Sequence, residues 1–549
     1  MRRRWQPLRV AIAMLGVTLV VFGGLQASTA AQAVGTYHQP IEGNGSTWSQ
    51  NALEAWIRNV WAGYSWKIEY TGNGSTQGRN SFKQGQVDFG VTEIPYDLAN
   101  SNEGDPQPQR AYAYMPIVAG GTAFMYNLRI AGTRVTNLRL SGEVIAKIFT
   151  GEITVWNDPA IAADNPALAL PAIPIVPVVR SDGSGATAQF SIWMRQEQTE
   201  IWDRYCPKVG RPLVNGHCGV TSNYPIAAGS GFIAKAGSNG VAGYVAQSHA
   251  EGAITFVEYS YALNARFPVV KMLNNAGYYT EPTASNVAVA LLKAQINEDR
   301  SSVNYLTQDL SQVYTDGDPR TYPLSSYSYI ILPTKLESGF SEDKGLTLAD
   351  FGAYFLCEGQ QSAEVLGYSP LPINLVQAGQ EQIQKIPGGD PVIKGVQDCN
   401  NPTFTADGSN RLANEAPYPA DCDRRGPAQC TGGTGGAKDE ATSVTSGSQG
   451  GNAGSDGGAE SEGNAQTVAD ADTAAADGTG GGAVTVGAAP VVLDATPQQI
   501  GPAQPGLLAP LILLAAGIGL FAAAVVPPLV GRRRRKTLLP APPRGSPAR

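Results

Sequence analysis

The stretch Val178-Val179-Arg180-Ser181-Asp182-Gly183-Ser184-Gly185-Ala186-Thr187 predicts a strand, a turn and the start of a helix in one run. An apolar run ends at Arg180, and apolar residues recur at helical spacing after the Gly-Ser-Gly turn. The first N–H groups of a helix lack partners within the helix and lie at its positive end, so they can bind an anion. Arg180 adds a planar guanidinium, which Asp182 can hold by an ion pair. A surface turn with an Arg–Asp pair is the alternative, and this stretch alone leaves both open.

Two further glycine turns upstream carry the same chemistry. Gly43-Asn44-Gly45-Ser46-Thr47 precedes a predicted helix, and Gly72-Asn73-Gly74-Ser75-Thr76 repeats those five residues after a strand-like run. The predicted helix has its apolar face at Leu53, Trp56, Ile57, Val60 and Trp61. Each turn brings hydroxyls and free N–H groups to a helix start. Three such turns with one arginine favour an anion site over three unrelated caps.

The two ends of the chain predict export and a membrane anchor. Residues 1–33 have the features of a signal peptide, with Arg2-Arg3-Arg4, an apolar run over 10–25 and the small-residue site Ala31-Gln32-Ala33. No cysteine lies near that site, so lipidation of a first mature cysteine is not expected. Residues 506–530 contain no charge and are long enough to cross a bilayer. The basic tail 531–549 follows, and the positive-inside rule keeps it cytoplasmic.

The charge of the whole chain and the composition of the segment before that span each bear on function. The chain has 46 acidic and 39 basic residues, which gives no basic face for nucleic acid. Residues 431–505 are mostly Gly, Ala, Ser and Thr, and their charged residues are acidic apart from Lys438. Such a segment buries too little apolar surface to fold, so a disordered linker is predicted there.

Six cysteines in an exported chain predict disulfides. Proximity in sequence favours the pairs Cys206 with Cys218, Cys357 with Cys399, and Cys422 with Cys430, although other pairings remain open. No Cys-x-x-Cys motif is present, so no metal site is expected.

The region between the ends is predicted to form an α/β fold with two lobes. Residues 34–400 alternate strand and helix patterns and exceed the usual size of a single core. Lobe 1 is expected at about 36–118 and 320–400, lobe 2 at about 124–315, and a Cys-containing extension at 401–430. An apolar run around Gly120-Gly121 is the expected crossing, and 327–332 the expected returning strand.

The chain resembles the phosphate-binding proteins of high-affinity phosphate ABC transporters. The resemblance covers roughly 36–395 and rests on several motifs in register, beginning with the three turns above. The others are Val87-Asp88-Phe89-Gly90, Ile148-Phe149-Thr150-Gly151-Glu152-Ile153, Trp156-Asn157-Asp158, Gly252-Ala253-Ile254 and Val257-Glu258-Tyr259. It implies a two-lobed type II periplasmic-binding-protein fold that closes on one phosphate ion, without a cofactor.

The resemblance also implies which residues bind phosphate. The implied phosphate-binding residues are Thr47, Trp48, Ser75, Glu93, Arg180, Ser184, Gly185 and Ala186, with Asp182 supporting Arg180. Glu93 stands where the family usually has Asp, Ala186 where it usually has Thr, and Trp48 where it usually has Phe. The carboxylate is expected to read the phosphate proton, and Thr187 is the candidate to replace the missing hydroxyl.

The expected function is phosphate binding for delivery to an ABC permease. The resemblance implies the permease, whereas the sequence predicts a single-pass protein of the cell membrane in a Gram-positive-type envelope, with the binding region outside. A phosphate sensor or scavenger is the alternative. An exported phosphatase is disfavoured, because His38, His217 and His249 do not lie beside the turns and no nucleophile with its base is evident.

Overall fold

The computed structural model describes residues 38–389, 399, 401–405 and 407–442. The predicted signal peptide, the linker beyond Thr442, the span at 506–530 and the basic tail lie outside these residues. No helix within the described ranges has the length and apolar character needed to cross a membrane.

The chain begins by alternating strands and helices. These elements are β1 (Ile41–Gly45), α1 (Gln50–Tyr64), β2 (Ile68–Gly72), α2 (Ser75–Lys83) and β3 (Phe89–Thr92). Strand β1 pairs in parallel with β2 on one side and β3 on the other. Leu53, Trp56 and Val60 bury the inner face of α1, whereas Trp61, at the edge of the predicted apolar face, is 58% exposed. The small Ala52 and Ala55 lie on the buried side instead.

The middle of the chain forms the second lobe after a long strand, β4 (Tyr112–Tyr126). Its helices are α3 (Gly142–Phe149), α4 (Pro159–Asp164), α5 (Gly185–Glu197), α6 (Thr199–Lys208), α7 (Gly237–Val245), α8 (Tyr259–Asn264), α9 (Ala284–Leu291) and α10 (Ser311–Tyr314). Its main strands are β8 (Val176–Arg180), β11 (Ile233–Lys235) and β12 (Ala253–Glu258). Shorter strands are β5 (Arg129–Ile130), β6 (Thr133–Arg134), β7 (Arg139–Leu140), β9 (Leu213–Val214), β10 (His217–Cys218), β13 (Lys271–Leu273), β14 (Tyr279–Thr280), β15 (Gln295–Ile296) and β16 (Gln308–Asp309).

The chain then returns to the first lobe. The returning elements are β17 (Ser325–Pro333), α11 (Glu342–Leu356) and α12 (Ile373–Ile383), followed by α13 (Arg411–Asn414) in the extension. Strand β17 contains the returning strand expected at 327–332.

One sheet runs through both lobes in the order β11-β8-β12-β4-β17-β3-β1-β2. The first part of β4 pairs with β17 as far as Gly121, and the last part pairs with β12 from Thr122 onwards. The crossing expected at Gly120-Gly121 is therefore the point where β4 changes partner. We call the part with β1, β2, β3 and β17 lobe 1 and the part with β8, β11 and β12 lobe 2. The two lobes meet along the ends of β1, β3 and β8.

The first glycine turn begins later in the chain than the sequence predicted. Gly43 to Gly45 belong to β1, and the turn itself begins at Ser46. Gly43 lies so close to β3 that a Cβ there would stand 2.1 Å from the ring of Phe89. The glycines therefore allow close packing of neighbouring strands, and the hydroxyl residues make the turn.

The extension packs on the folded region. Thr403 donates to the carbonyl of Leu371 at 2.8 Å in lobe 1. In lobe 2, the Arg139 guanidinium donates to the carbonyls of Cys422 and Ala428 at 3.0 and 2.7 Å, and Lys271 pairs with Asp423 at 2.7 Å. The extension thus contacts both lobes.

The predicted start of the linker at Thr431 is wrong. Thr434 is fully buried, accepts from the Val269 N–H at 3.1 Å and lies 3.0 Å from the Thr136 carbonyl. Thr442 accepts from the Thr136 N–H at 2.8 Å. Composition suggested a polar linker here, but these threonines satisfy backbone groups of lobe 2, and residues 431–442 are part of the fold.

The three predicted disulfides are confirmed. Cys206–Cys218, Cys357–Cys399 and Cys422–Cys430 have Cα–Cα distances of 5.5, 4.7 and 5.0 Å, within the usual range for such bonds. Cys357–Cys399 joins the residue after α11 to the chain just before the extension, and Cys422–Cys430 closes a loop within the extension.

Candidate functional site

The third turn places a paired arginine beside a helix start. Strand β8 ends at Arg180, and α5 begins at Gly185 with Ser184 as its N-cap. Arg180 Nε donates to Asp182 Oδ1 at 2.8 Å, and its Nη2 donates to the other carboxylate oxygen. Asp182 also accepts from the Gly237 N–H at 2.9 Å. The carboxylate therefore fixes the orientation of a guanidinium whose side chain is only 2% exposed.

The ion pair also acts on the Asp182 carboxyl. Burial alone would raise its pKa, but the hydrogen bonds and charge of Arg180, with the Gly237 N–H, lower the pKa of Asp182 below its usual value. Asp182 is therefore ionised at neutral pH and remains a partner for the guanidinium.

The first turn meets lobe 2 through a serine. Thr47 Oγ1 lies 2.8 Å from Ser238 Oγ and accepts from the Ser238 N–H at 3.1 Å. Arg180 Nη1 lies 3.5 Å from the same Ser238 oxygen. Thr47 and Arg180 are therefore neighbours on either side of one hydroxyl.

The second turn bridges the lobes at a glycine. Ser75 begins α2 and accepts from the Gly185 N–H at 3.0 Å. Its neighbour Gly74 has φ of 99°, in the region that favours glycine, and a Cβ there would stand 2.6 Å from Asp182 Oδ2. The second turn thus packs directly on the Arg180–Asp182 pair.

Glu93 lies where the three turns converge. It follows β3, is 1% exposed and accepts from Ser75 Oγ at 2.6 Å and Ser328 Oγ at 2.9 Å. Ser46 Oγ also donates to it. Burial raises the pKa of Glu93, and the three serine hydrogen bonds and the charge of Arg180 oppose that rise only in part.

Most of the implied site residues come together in the structure. They form two neighbouring hydrogen-bond networks. Thr47 and Arg180 meet at Ser238, and Glu93 and Gly185 meet at Ser75. The other implied residues are involved differently. The Trp48 N–H donates to Ser46 Oγ at 2.9 Å and its indole to Thr122 at 3.3 Å.

The start of α5 explains the remaining implied residues. Ser184 Oγ accepts from the Thr187 N–H at 3.4 Å, as an N-cap does. Ala186 is 2% exposed and brings no polar side chain. The Thr187 hydroxyl beside it is fully buried and has no hydrogen-bond partner among the described residues. A buried hydroxyl without a partner is costly, which suits a residue that serves a ligand.

Sequence reasoning missed three serines of these two networks. Ser46 was part of the quoted first turn but was not assigned a role. Ser238 follows Gly237 at the start of α7, and this further Gly-Ser turn after a strand was a usable signal. Ser328 lies within β17, where no local pattern distinguishes it.

The described part of the chain holds no cluster of three or more His, Cys, Asp or Glu side chains suited to a metal ion. His38 pairs with Asp350 at 2.7 Å and His217 with Asp203 at 2.8 Å, and neither residue belongs to the network around Glu93. The arrangement offers hydroxyl and N–H donors with one guanidinium, which is the chemistry of anion binding.

Comparison with known proteins identifies the family of the chain. The sequence profile of the PBP superfamily domain matches residues 26–358. The phosphate-binding protein PstS of Xylella fastidiosa is 30% identical over 350 residues, which are 64% of this chain and 86% of that relative. The chain is a PstS-like member of the PBP superfamily.

A further PstS protein and a solved structure are also similar to this chain. The phosphate-binding protein PstS 2 of Mycobacterium tuberculosis is 28% identical over 375 residues, covering 65% of this chain and 91% of the relative. Among solved structures, an ancestral soluble variant of the human phosphate binding protein shares 18% identity at a TM-score of 0.48, covering 64% of this chain and 99% of that one. The family match over residues 26–358 and the relative from Xylella fastidiosa confirm the PstS-like family, and the sheet that runs through both lobes agrees with the two-lobed α/β fold expected from the sequence.

Proposed function

We propose that the protein binds inorganic phosphate outside the cell membrane and delivers it to an ABC-type importer. The observation that carries the proposal is the meeting of three turns from both lobes around Arg180. The guanidinium is held by Asp182 and faces the hydroxyls of Thr47 and Ser238. An anion at this point would receive charge from Arg180 and hydrogen bonds from hydroxyls and from the start of α5.

Burial of the site supports an inorganic ion as the ligand. Thr47, Ser75, Arg180 and Ser184 are at most 3% exposed. A closed site of this kind leaves no passage for an organic group attached to the phosphate. Inorganic phosphate is therefore preferred over phosphate esters.

The carboxylate of Glu93 supports phosphate over sulfate. Near neutral pH phosphate carries a proton that a carboxylate can accept, whereas sulfate presents only acceptors. Two unpaired acceptors in a buried site repel each other, so Glu93 disfavours sulfate.

Export, tethering and delivery complete the proposal. The predicted signal peptide and the predicted span at 506–530 support a membrane-anchored protein with the site outside. The resemblance of the sequence motifs to the phosphate-binding proteins of phosphate ABC transporters supports delivery to an importer. Loss of labelled-phosphate uptake on deletion of the protein, with recovery on its return, tests this step. Normal uptake with intact phosphate binding would favour a sensor or scavenger.

Calorimetric titration of the full-length protein tests the ligand. Inorganic phosphate is expected to bind, while sulfate and glycerol phosphate are expected to bind at least about a hundredfold more weakly, as unpaired buried polar groups dictate. Preferential binding of sulfate, or of the ester, would contradict the proposed ligand.

A further inference from the structure

A loop of lobe 1 carries Glu103 to the boundary between the lobes. The loop 97–105 lies between β3 and β4, and the Asp97 N–H donates to the Asp105 carbonyl at 2.9 Å across its base. The Asp105 carboxylate pairs with Arg79 of α2 at 2.6 Å, and the Arg79 side chain is only 1% exposed. The base of the loop is therefore fixed to lobe 1, and Glu103 is carried by that lobe.

The Glu103 carboxylate accepts hydrogen bonds from a turn of lobe 2. Ser222 donates its N–H to Oε1 at 2.8 Å and its hydroxyl to Oε2 at 2.6 Å, so one residue engages both oxygens. The Asn223 side-chain amide donates to Oε1 at 3.2 Å, and the Thr221 hydroxyl also contacts that oxygen. Burial raises the pKa of Glu103, but these hydrogen bonds outweigh burial and hold the pKa below its usual value. Glu103 is therefore ionised at neutral pH, and its hydrogen bonds are of the stronger, charge-assisted kind.

The turn 221–223 is also bound to the helix that begins at the proposed anion site. The Ser184 N–H, at the N-cap of α5, donates to the Ser222 carbonyl at 2.8 Å. The Ser222 hydroxyl accepts from Thr76 Oγ1 of α2 at 2.9 Å. Glu103 thus holds a turn that contacts both the start of α5 and the second glycine turn.

We propose that Glu103 is a positioning residue that holds the two lobes closed over phosphate and so sets how slowly phosphate leaves. This inference rests on the proposed phosphate function and concerns the closing of the same site. The hydrogen bonds between Glu103 and the turn 221–223 exist only when the lobes meet, so they stabilise the closed arrangement alone.

Burial of the site links these hydrogen bonds to the release of the ion. Arg180 and Ser75 are at most 3% exposed, so phosphate enters and leaves only when the lobes separate. Separation must break the bonds from Ser222 to Glu103, whereas entry takes place before they form. Their loss should therefore raise the dissociation rate and leave the association rate nearly unchanged.

The negative charge of Glu103 offers an alternative role with a different kinetic signature. A carboxylate that acted mainly by repelling an approaching anion would slow its entry. Removal of the Glu103 charge would then speed association and leave the dissociation rate unchanged. The two rates of phosphate exchange therefore distinguish a residue that holds the lobes together from one that repels the ligand.

Release of labelled phosphate from the full-length protein into excess unlabelled phosphate measures the dissociation rate. Calorimetry gives the affinity, and the association rate follows from the two. Glu103→Gln, which loses the charge and one acceptor oxygen, is expected to release phosphate about tenfold faster, and Ser222→Ala about threefold faster. Glu143→Gln is the matched control, because its exposed carboxylate pairs with Lys147 within α3, and it should release phosphate at the wild-type rate.

A double variant tests whether the two residues act through the same contact. Glu103→Gln combined with Ser222→Ala should accelerate release by less than the product of the single effects, because both substitutions weaken one set of hydrogen bonds. A merely structural role of Glu103 would instead lower the fraction of molecules that bind phosphate in calorimetry and leave the release rate of the remainder unchanged.

The outcomes separate this inference from the proposed function. Release at the wild-type rate in Glu103→Gln and Ser222→Ala overturns the inference, and so does faster association with unchanged release. Should Glu103→Gln fail to fold, the release rate of Ser222→Ala decides alone. In each of these cases the wild type still binds phosphate, and the proposed function stands. Absence of phosphate binding in the wild type would overturn the proposed function itself, and the inference with it.

Discussion

The hydroxyl oxygens of Thr47 and Ser238 lie 2.8 Å apart, although the two residues are 191 positions apart in the chain and belong to different lobes. The Ser238 N–H also donates to Thr47 at 3.1 Å. Closure of the lobes therefore builds part of the site directly, because the contact exists only when lobe 1 meets lobe 2.

A double-mutant cycle tests this contact. Thr47→Val and Ser238→Ala are each expected to weaken phosphate binding several-fold, with a coupling energy of about 0.5–1.5 kcal/mol, the net value of a typical hydrogen bond. The readout is phosphate affinity by calorimetry. The pair Thr47→Val with Ser301→Ala, an exposed serine, is the control and should be additive. Additivity in the first pair would contradict a direct role for the contact.

Replacement of Arg180 should cost most of the affinity. Arg180→Ala removes the guanidinium at the site and leaves the Asp182 charge without its partner, so phosphate binding is expected to weaken by about 2–5 kcal/mol. Arg204→Ala, which removes a half-exposed guanidinium paired with Glu152, is the matched control. Equal affinity in the wild type and Arg180→Ala would place the anion elsewhere.

A methyl group at position 185 should strain the closed arrangement. The Cβ of Gly185→Ala would stand 1.9 Å from Glu93 Oε2 and 2.8 Å from Ser75 Oγ, so the free energy of unfolding should fall by about 1–3 kcal/mol. Gly63→Ala meets no atom within 4 Å on α1 and should be neutral or stabilising by up to about 1 kcal/mol. Urea unfolding of both variants measures the difference. Equal effects would show that position 185 tolerates a side chain.

Glu258 predicts a pH dependence of stability. It is fully buried at the end of β12, and burial raises its pKa well above the usual value, with hydrogen bonds from Ser260 opposing the rise in part. The folded carboxyl keeps its proton at pH values where the unfolded one has lost it. The contribution of the protonated Glu258 carboxyl to stability is therefore complete below its unfolded pKa. It is lost as pH rises towards its folded pKa.

Glu258→Gln removes this titration. Relative to the wild type, the variant should gain stability steadily as pH rises from about 5 to 8, above the unfolded pKa of Glu. Urea unfolding at several pH values gives the comparison, with the exposed Glu143→Gln as the control. A stability difference that does not change with pH would contradict a buried titrating carboxyl at this position.

The contacts of residues 432–442 predict how truncation of the chain affects stability. A chain that ends after Thr431 loses the contacts of Thr434 and Thr442 with Thr136, and it also loses the 2.9 Å bond from the Gly435 N–H to Glu281. Its free energy of unfolding should fall by about 2–4 kcal/mol relative to a chain that ends after Thr442, as expected for several lost hydrogen bonds. Chemical unfolding of the two truncated proteins checks this. Equal stability would mean that residues 432–442 contribute nothing to the fold.

Local chemistry made the second and third turns and the disulfides predictable from the sequence alone. Gly74 directly precedes α2, and Gly185 begins α5. The strand, turn and helix signals around Arg180 and Ser75 are contained within a few residues. The cysteine pairs are at most 42 positions apart, so proximity in sequence was a good guide to proximity in space. Each motif that carries the family resemblance is likewise only a few residues long, so the family could be identified from the sequence.

Tertiary structure alone decided what surrounds Glu93. Ser328 is 235 positions away and reaches the carboxylate only because β17 returns to pair with β3. Residues 431–442 looked like a polar linker, since composition cannot show that Thr434 and Thr442 find backbone partners in lobe 2. Sequence patterns report short-range preferences for strand, turn and helix. The groups that a buried carboxylate or hydroxyl meets depend on how distant segments pack, and only the folded chain determines them.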